Sequence, residues 1–155
     1  MLRETLFVFA ALVVVLSTAT KVNHCDGTPF EDTNQVKISD CDTPPCLLKK
    51  KTRVSIEQKF TLEKDVNNMM TSVSAVLFGV PLPFVGVDGT NACDNIYDKD
   101  GRKVQCPLKK GETYIYRNDF PILEIYPKVP LEVHYALTDG NNQVICFTIP
   151  ARITG

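Results

Sequence analysis

Polar and apolar residues alternate with a period of two in the segment RVSIEQKFTLEK, residues 53–64. The apolar positions are Val54, Ile56, Phe60 and Leu62, and charged or hydroxylated residues stand between them. Such alternation predicts a β-strand with one buried face and one wet face. Gln58 interrupts the pattern, because it occupies a position of the apolar face.

The same alternation returns near the end of the chain, in PLEVHYALTDGNNQVICFTIP, residues 130–150. Four apolar residues of this segment share one face: Leu131, Val133, Tyr135 and Leu137. Asp139-Gly140 and the two asparagines that follow are typical of a turn. Residues 131–149 are therefore predicted to form a β-hairpin.

Further short strands are predicted at residues 35–38, 73–80 and 113–117, and no segment sustains the 3.6-residue period of a helix. Ten prolines and eight glycines interrupt the chain. Several short strands separated by turns indicate an all-β fold, a β-sandwich of two sheets. The length of 155 residues fits one such domain, expected over residues 21–155.

The first twenty residues, MLRETLFVFAALVVVLSTAT, have the layout of a secretory signal peptide. An early Arg3 precedes an apolar run from Leu6 to Leu16, and small residues follow. A membrane anchor is the alternative, but this run is much shorter than the roughly 20 residues that a span needs. Cleavage is expected after Ala19 or Thr20, which predicts a secreted, extracellular protein. Delivery to the lysosomal lumen by a glycan tag lacks support, because no Asn-x-Ser/Thr sequence is present.

Six cysteines follow this leader, and an even number in a secreted chain indicates disulfides. Sequence alone allows 15 pairings of six cysteines. Local spacing suggests Cys41–Cys46 and Cys93–Cys106, each closing a short loop, which leaves Cys25–Cys146 to tie the two ends of the domain together. Metal ligation is disfavoured, because the spacings are not C-x-x-C.

No constellation of catalytic residues is evident, so the chain is not expected to be an enzyme. Neither histidine lies in a motif with a nucleophile, no serine stands in a G-x-S-x-G context, and no glycine-rich loop could cradle a phosphate. No catalytic residue, cofactor or metal is expected. The net charge of −1 gives no basic excess for nucleic acid.

The segment AVLFGVPLPFVGV, residues 75–87, carries no polar side chain. It is too short to cross a membrane, and Pro81 and Pro83 exclude a helix. The pattern predicts a strand that is buried on both faces and then breaks at the prolines into a loop.

Several dispersed motifs of this chain resemble the ML lipid-recognition domain family, and the resemblance runs from about residue 22 to the end. They are SDCDTPPC (39–46), GVPLPF (79–84), CPLKKGETYIY (106–116), FPILEIYP (120–127) and VICFTIP (144–150). The family pairs its cysteines first with last, second with third and fourth with fifth, as the spacing suggests here. The resemblance implies an immunoglobulin-like β-sandwich of about seven strands, with a lipid cavity between its sheets and no covalent chemistry.

The resemblance also implies which residues contact the lipid. Phe84, Ile122 and Tyr126 are the expected pocket residues, with Phe120 and Val80 nearby. Tyr135 and Phe147 stand at two positions that commonly hold tryptophan in the family, and this chain has no tryptophan.

A sterol is the ligand that the resemblance favours, and a fatty acid or another small apolar signalling molecule is the alternative. A hypothesis from a different functional class is an immunoglobulin-like adhesion module whose core is filled by its own side chains. For a carrier, residues 75–87 would place Phe84 at the pocket, with Val80, Leu82 and Val85 near its mouth. Transient contact with a membrane or a membrane receptor is expected there.

Overall fold

Ten β-strands form two sheets in the computed structural model, which describes residues 19–30 and 35–155. Most of the expected signal peptide, residues 1–18, lies outside the described residues. The predicted all-β immunoglobulin-like sandwich is confirmed. More strands are present than the seven expected, because five of them are only two to four residues long.

The first sheet has the strand order β1-β10-β9-β5-β6, and β3 pairs in parallel with the second half of β10. Its strands are β1 (Asn23–His24), β3 (Cys46–Lys49), β5 (Met70–Leu77), β6 (Val80–Pro83), β9 (Pro130–Asp139) and β10 (Asn142–Thr154). All its other pairings are antiparallel. The predicted hairpin of residues 131–149 is confirmed as β9 and β10.

The second sheet is antiparallel and has the order β2-β4-β8-β7. Its strands are β2 (Val36–Ile38), β4 (Arg53–Thr61), β7 (Ile96–Asp98) and β8 (Thr113–Pro121). Burial along β4 alternates as its sequence predicts, so that Val54, Ile56 and Phe60 face the first sheet. Gln58 faces the same way and is fully buried.

The prediction for residues 75–87 is wrong in its two main points. The segment is not buried on both faces, and the prolines do not end the strand pairing. Instead, Phe78 and Gly79 form a two-residue turn at φ values of 51° and 79°, and β6 pairs with the end of β5. Because β6 is the outermost strand, its prolines need no partner for an N–H, and its side chains face solvent.

Three disulfides brace the sandwich, and they join the pairs that the spacing suggested. Cys25–Cys146 ties the start of the domain to β10, Cys41–Cys46 connects the loop after β2 to β3, and Cys93–Cys106 closes the loop around β7. In the part of the chain that the structure describes, no helix has the length and apolar character needed to cross a membrane.

Candidate functional site

A narrow apolar cavity lies between the two sheets, with a volume of about 30 Å³. Aliphatic and aromatic side chains line it, and they come from both sheets. Its volume corresponds to roughly two water molecules, so the sheets lie almost in contact. A larger molecule fits between them only if the sheets move apart.

Four of the seven expected lipid-contacting residues border this cavity: Phe84, Phe120, Tyr135 and Phe147. Tyr135 and Phe147 are direct partners across β9 and β10, which places their rings on the same face of the sheet. These two rings stack with centroids 5.6 Å apart. The ring of Phe84 meets Phe120 of the opposite sheet edge-on, with centroids 6.4 Å apart.

The other three expected residues do not border the cavity. Ile122 is buried but lies beyond its lining. Tyr126 packs edge-on against Phe84 with centroids 5.2 Å apart, and its hydroxyl donates a hydrogen bond to the carbonyl of Val85. Val80 lies on β6 with 55% of its surface exposed, outside the cavity.

A second apolar pocket, of about 260 Å³, lies on the surface beside the β5–β6 hairpin and is called the surface groove. Its walls include Leu82 and Val85 of the hairpin segment and Ile125 and Tyr126 of the loop that follows β8. Phe84 borders both this surface groove and the interior cavity. The Phe84 ring is therefore part of the wall between the cavity and the outside.

A cluster of buried polar side chains, which the sequence patterns did not predict, adjoins the cavity through Tyr135, one of its lining residues. The hydroxyls of Tyr116 and Tyr135 are 2.9 Å apart and connect the two sheets, and Asn118 donates its side-chain amide to the Tyr116 oxygen at 3.0 Å. Burial raises the pKa of both tyrosine hydroxyls, which remain neutral. Gln58 adds a buried amide, and its interruption of the β4 pattern was the one signal of this cluster in the sequence.

Two packed β-sheets that enclose a small apolar cavity define an immunoglobulin-like sandwich. Residues 19–153 match the model of the ML domain, and the chain belongs to this family.

Relatives cover almost the whole chain. NPC intracellular cholesterol transporter 2 homolog a of Drosophila melanogaster is 33% identical over 156 residues, and 99% of each chain is aligned. NPC intracellular cholesterol transporter 2 of Bos taurus is 30% identical, with 95% of this chain and 94% of the relative aligned. The crystal structure of a Niemann-Pick type C2 protein from Japanese carpenter ant matches with a TM-score of 0.66 and 26% identity, covering 88% of this chain and 95% of that chain.

Proposed function

We propose that this protein is a lipid carrier that holds a sterol between its two sheets and passes it to a membrane or a partner without covalent chemistry. The observation that carries the proposal is the apolar cavity between the sheets, with aromatic rings from both sheets in its lining. Two relatives of at least 30% identity bear the name of cholesterol transporters, which supports a sterol as the cargo.

Entry of a sterol requires the sheets to separate. Among the described residues no strand of one sheet pairs with a strand of the other, so separation breaks no backbone hydrogen bonds between strands. It breaks side-chain packing and, where the sheets part at Tyr116 and Tyr135, the hydrogen bond between their hydroxyls. The apolar surface of the ligand then replaces the packing that is lost, at about 25 cal/mol for each Å² removed from water. Carrier function therefore needs the sandwich to open without unfolding either sheet.

The proposed contacts follow from the positions of the side chains. Phe84, Phe120, Tyr135 and Phe147 border the cavity and would touch a ligand directly. Tyr126 supports Phe84 from the side of the surface groove. Ile122 and Val80 are expected to act through packing and through the outer surface, respectively.

Mass spectrometry of an organic extract tests the carrier function most directly. Protein purified from a eukaryotic host should carry a sterol, and cholesterol should displace a fluorescent apolar probe such as N-phenyl-1-naphthylamine. Preferential displacement by oleate would support the fatty-acid alternative. An extract without lipid, together with no displacement of the probe by either lipid, would refute both the sterol-carrier and the fatty-acid-carrier hypotheses. The adhesion-module hypothesis would then remain.

We further propose that the β5–β6 hairpin contacts the membrane during transfer. Phe78, Val80, Leu82, Val85 and Ile125 form an exposed apolar surface next to the groove that Phe84 borders. Phe78 is fully exposed and has a positive φ, a conformation that favours glycine or asparagine. A fully exposed aromatic side chain at an unfavourable backbone position is consistent with a role in contacting lipid.

Transfer of a fluorescent sterol between vesicles tests this contact. The double change Phe78→Ser and Leu82→Ser should slow transfer severalfold while leaving probe binding unchanged. Leu47→Ser is the matched control, because Leu47 is a similarly exposed apolar residue outside the groove. Equal transfer rates in both variants would contradict the proposed contact.

We also propose that the chain is secreted and that its signal peptide is removed after Ala19. Thr20 is buried, its backbone N–H donates to the carbonyl of Val36 at 3.0 Å, and its hydroxyl accepts a hydrogen bond from the N–H of Ile38 at 2.9 Å. These contacts favour a mature domain that retains Thr20. N-terminal sequencing of protein from culture medium should begin at Thr20, and retention of the protein inside the cells would contradict secretion.

A further inference from the structure

The side chain of Gln58 lies in the interior of the sandwich with 0% of its surface exposed. Neither its amide nitrogen nor its amide oxygen has a hydrogen-bond partner among residues 19–30 and 35–155. A buried amide without partners is unfavourable, because it gives up its bonds to water and gains none. The amide therefore offers two donor hydrogens and an acceptor oxygen that the fold does not use.

Two tyrosine hydroxyls lie on the same inner side of the structure. Gln58 is the direct neighbour of Tyr116 across β4 and β8, so the two side chains emerge on one face of that sheet. The Tyr116 hydroxyl meets the hydroxyl of Tyr135, which comes from the opposite sheet. One hydrogen bond joins the two hydroxyls and uses one of their two hydrogens, while Asn118 donates to the Tyr116 oxygen. One tyrosine hydrogen thus remains available for an additional acceptor.

Tyr135 lines the interior cavity, and Gln58 and Tyr116 lie just beyond its lining. Val54 and Ile56 line the cavity, and Gln58 is the next residue on the same face of β4. Val54 pairs with Phe120, which meets Phe84 at the wall next to the surface groove. Since a strand rises about 3.3 Å per residue, Gln58 lies roughly 13 Å along β4 from that wall. A ligand that enters past Phe84 and separates the sheets along β4 would reach Gln58 with its leading end.

We propose that Gln58, Tyr116 and Tyr135 form a polar subsite that binds a neutral oxygen group, a hydroxyl or a ketone, at the inner end of the carried lipid. The inference rests on the proposed carrier function and specifies the chemistry of its ligand. A hydroxyl or ketone would accept from the Gln58 amide or the free tyrosine hydrogen, and a hydroxyl would also donate to the Gln58 oxygen.

The charges around the cluster favour a neutral group over a carboxylate. Among the described residues, no lysine, arginine or histidine lines the cavity. The nearest basic residues along the strands, Lys59 and Arg117, alternate to the outer face, where Arg117 pairs with Glu57. An ionised fatty acid placed with its head at Gln58 would bury an unpaired charge, which is far more unfavourable than burying a hydroxyl.

Three sterols that differ in oxygen content test the subsite. 5-Cholestene has no oxygen, cholesterol has one hydroxyl on the ring, and 25-hydroxycholesterol has a second one at the far end of its side chain. Their affinities are measured by displacement of N-phenyl-1-naphthylamine from the wild type, from Gln58→Leu and from the control Gln105→Leu. Gln105 is exposed, so the control makes the same chemical exchange away from the cavity.

In the wild type, an oxygenated sterol should bind about tenfold more tightly than 5-cholestene, and Gln58→Leu should abolish that difference while still binding 5-cholestene. Loss of the preference for cholesterol would place the ring hydroxyl at the subsite, and loss of the preference for 25-hydroxycholesterol alone would place the side-chain hydroxyl there. Equal preferences in wild type and Gln58→Leu would refute the subsite and leave the carrier function intact. Displacement by none of the sterols would refute the carrier function and the subsite with it.

Thermal unfolding of the same variants provides a second readout. Replacing an unpartnered buried amide by leucine should raise the melting temperature of Gln58→Leu by a few degrees. A lower melting temperature would show that the fold itself uses the Gln58 amide, and this result would overturn the proposal. Gln105→Leu should melt within about a degree of the wild type.

Discussion

Replacement of Phe84 by alanine should lower both the stability of the fold and its affinity for a lipid. Phe84 is 5% exposed and packs edge-on against Phe120 and Tyr126. Truncation of a buried phenylalanine costs about 3–5 kcal/mol. We expect a loss near 3 kcal/mol, the low end of that range, because Phe84 borders the interior cavity on one side and the surface groove on the other. For a domain of this size that loss lowers the melting temperature by about 10 °C.

Ligand affinity should fall as well, because Phe84→Ala opens the wall between the cavity and the surface groove. Exposing one face of a bound lipid and removing its contact with the Phe84 ring costs about 1.5 kcal/mol, which corresponds to a roughly tenfold larger dissociation constant. The assays are thermal unfolding followed by circular dichroism and displacement of N-phenyl-1-naphthylamine at a temperature where the variant is folded.

Phe60→Ala is the matched control. Phe60 is 4% exposed on the inner face of β4, packs against Tyr114, and does not border the interior cavity. The Phe60→Ala variant should therefore lose comparable stability but retain the wild-type affinity for the probe. The reasoning is refuted if Phe84→Ala binds as tightly as the wild type, or if Phe60→Ala weakens binding to the same extent.

Three further outcomes are expected from contacts elsewhere in the sandwich. Burial raises the pKa of Tyr116 and Tyr135 above the ordinary value of 10.0. The unfolded chain loses these protons first as the pH rises past 10, so the contribution of the two tyrosines to the free energy of unfolding should be constant below that pH and fall above it. Tyrosinate absorbance that develops fully before unfolding would contradict this. Removing the Cys25–Cys146 disulfide by alanine substitution should cost about 4–5 kcal/mol in denaturant unfolding, because the two cysteines are 121 positions apart in the chain. A loss below about 1 kcal/mol would be inconsistent with that chain-entropy estimate. Phe78→Asn should stabilise the protein by about 1 kcal/mol, since the φ of 51° is unfavourable for phenylalanine, and an unchanged melting temperature would show that the turn is not strained.

Local sequence patterns were sufficient to predict the strands that have one wet face. The alternation around Val54 and Ile56 depends only on the two-residue period of a strand, and the turn at Asp139-Gly140 depends only on local backbone preferences. Short spacing likewise indicated the disulfides, because Cys41 and Cys46 close a small loop whatever the rest of the chain does.

Exposure of an apolar segment depends on neighbours that local patterns do not reveal. The strand at the start of residues 75–87 was predicted to be buried on both faces because it is apolar, yet β6 pairs at the edge of its sheet, and no other described strand covers it. The cluster of Gln58, Tyr116 and Tyr135 was missed for a related reason. Its three side chains meet only through the register of β4 with β8 and the packing of one sheet on the other.

The two prolines of β6 have a consequence for solubility. Pro81 and Pro83 pair with Val76 and Ser74 of β5, and neither has an N–H to present at the outer edge of the sheet. A strand from a second molecule would find acceptors along this edge but no donors at these positions, so it could not extend the sheet. An apolar hairpin that would otherwise promote aggregation is thereby kept from joining another copy edge to edge. The hairpin can thereby present apolar side chains to other molecules without offering them a strand edge on which to extend the sheet.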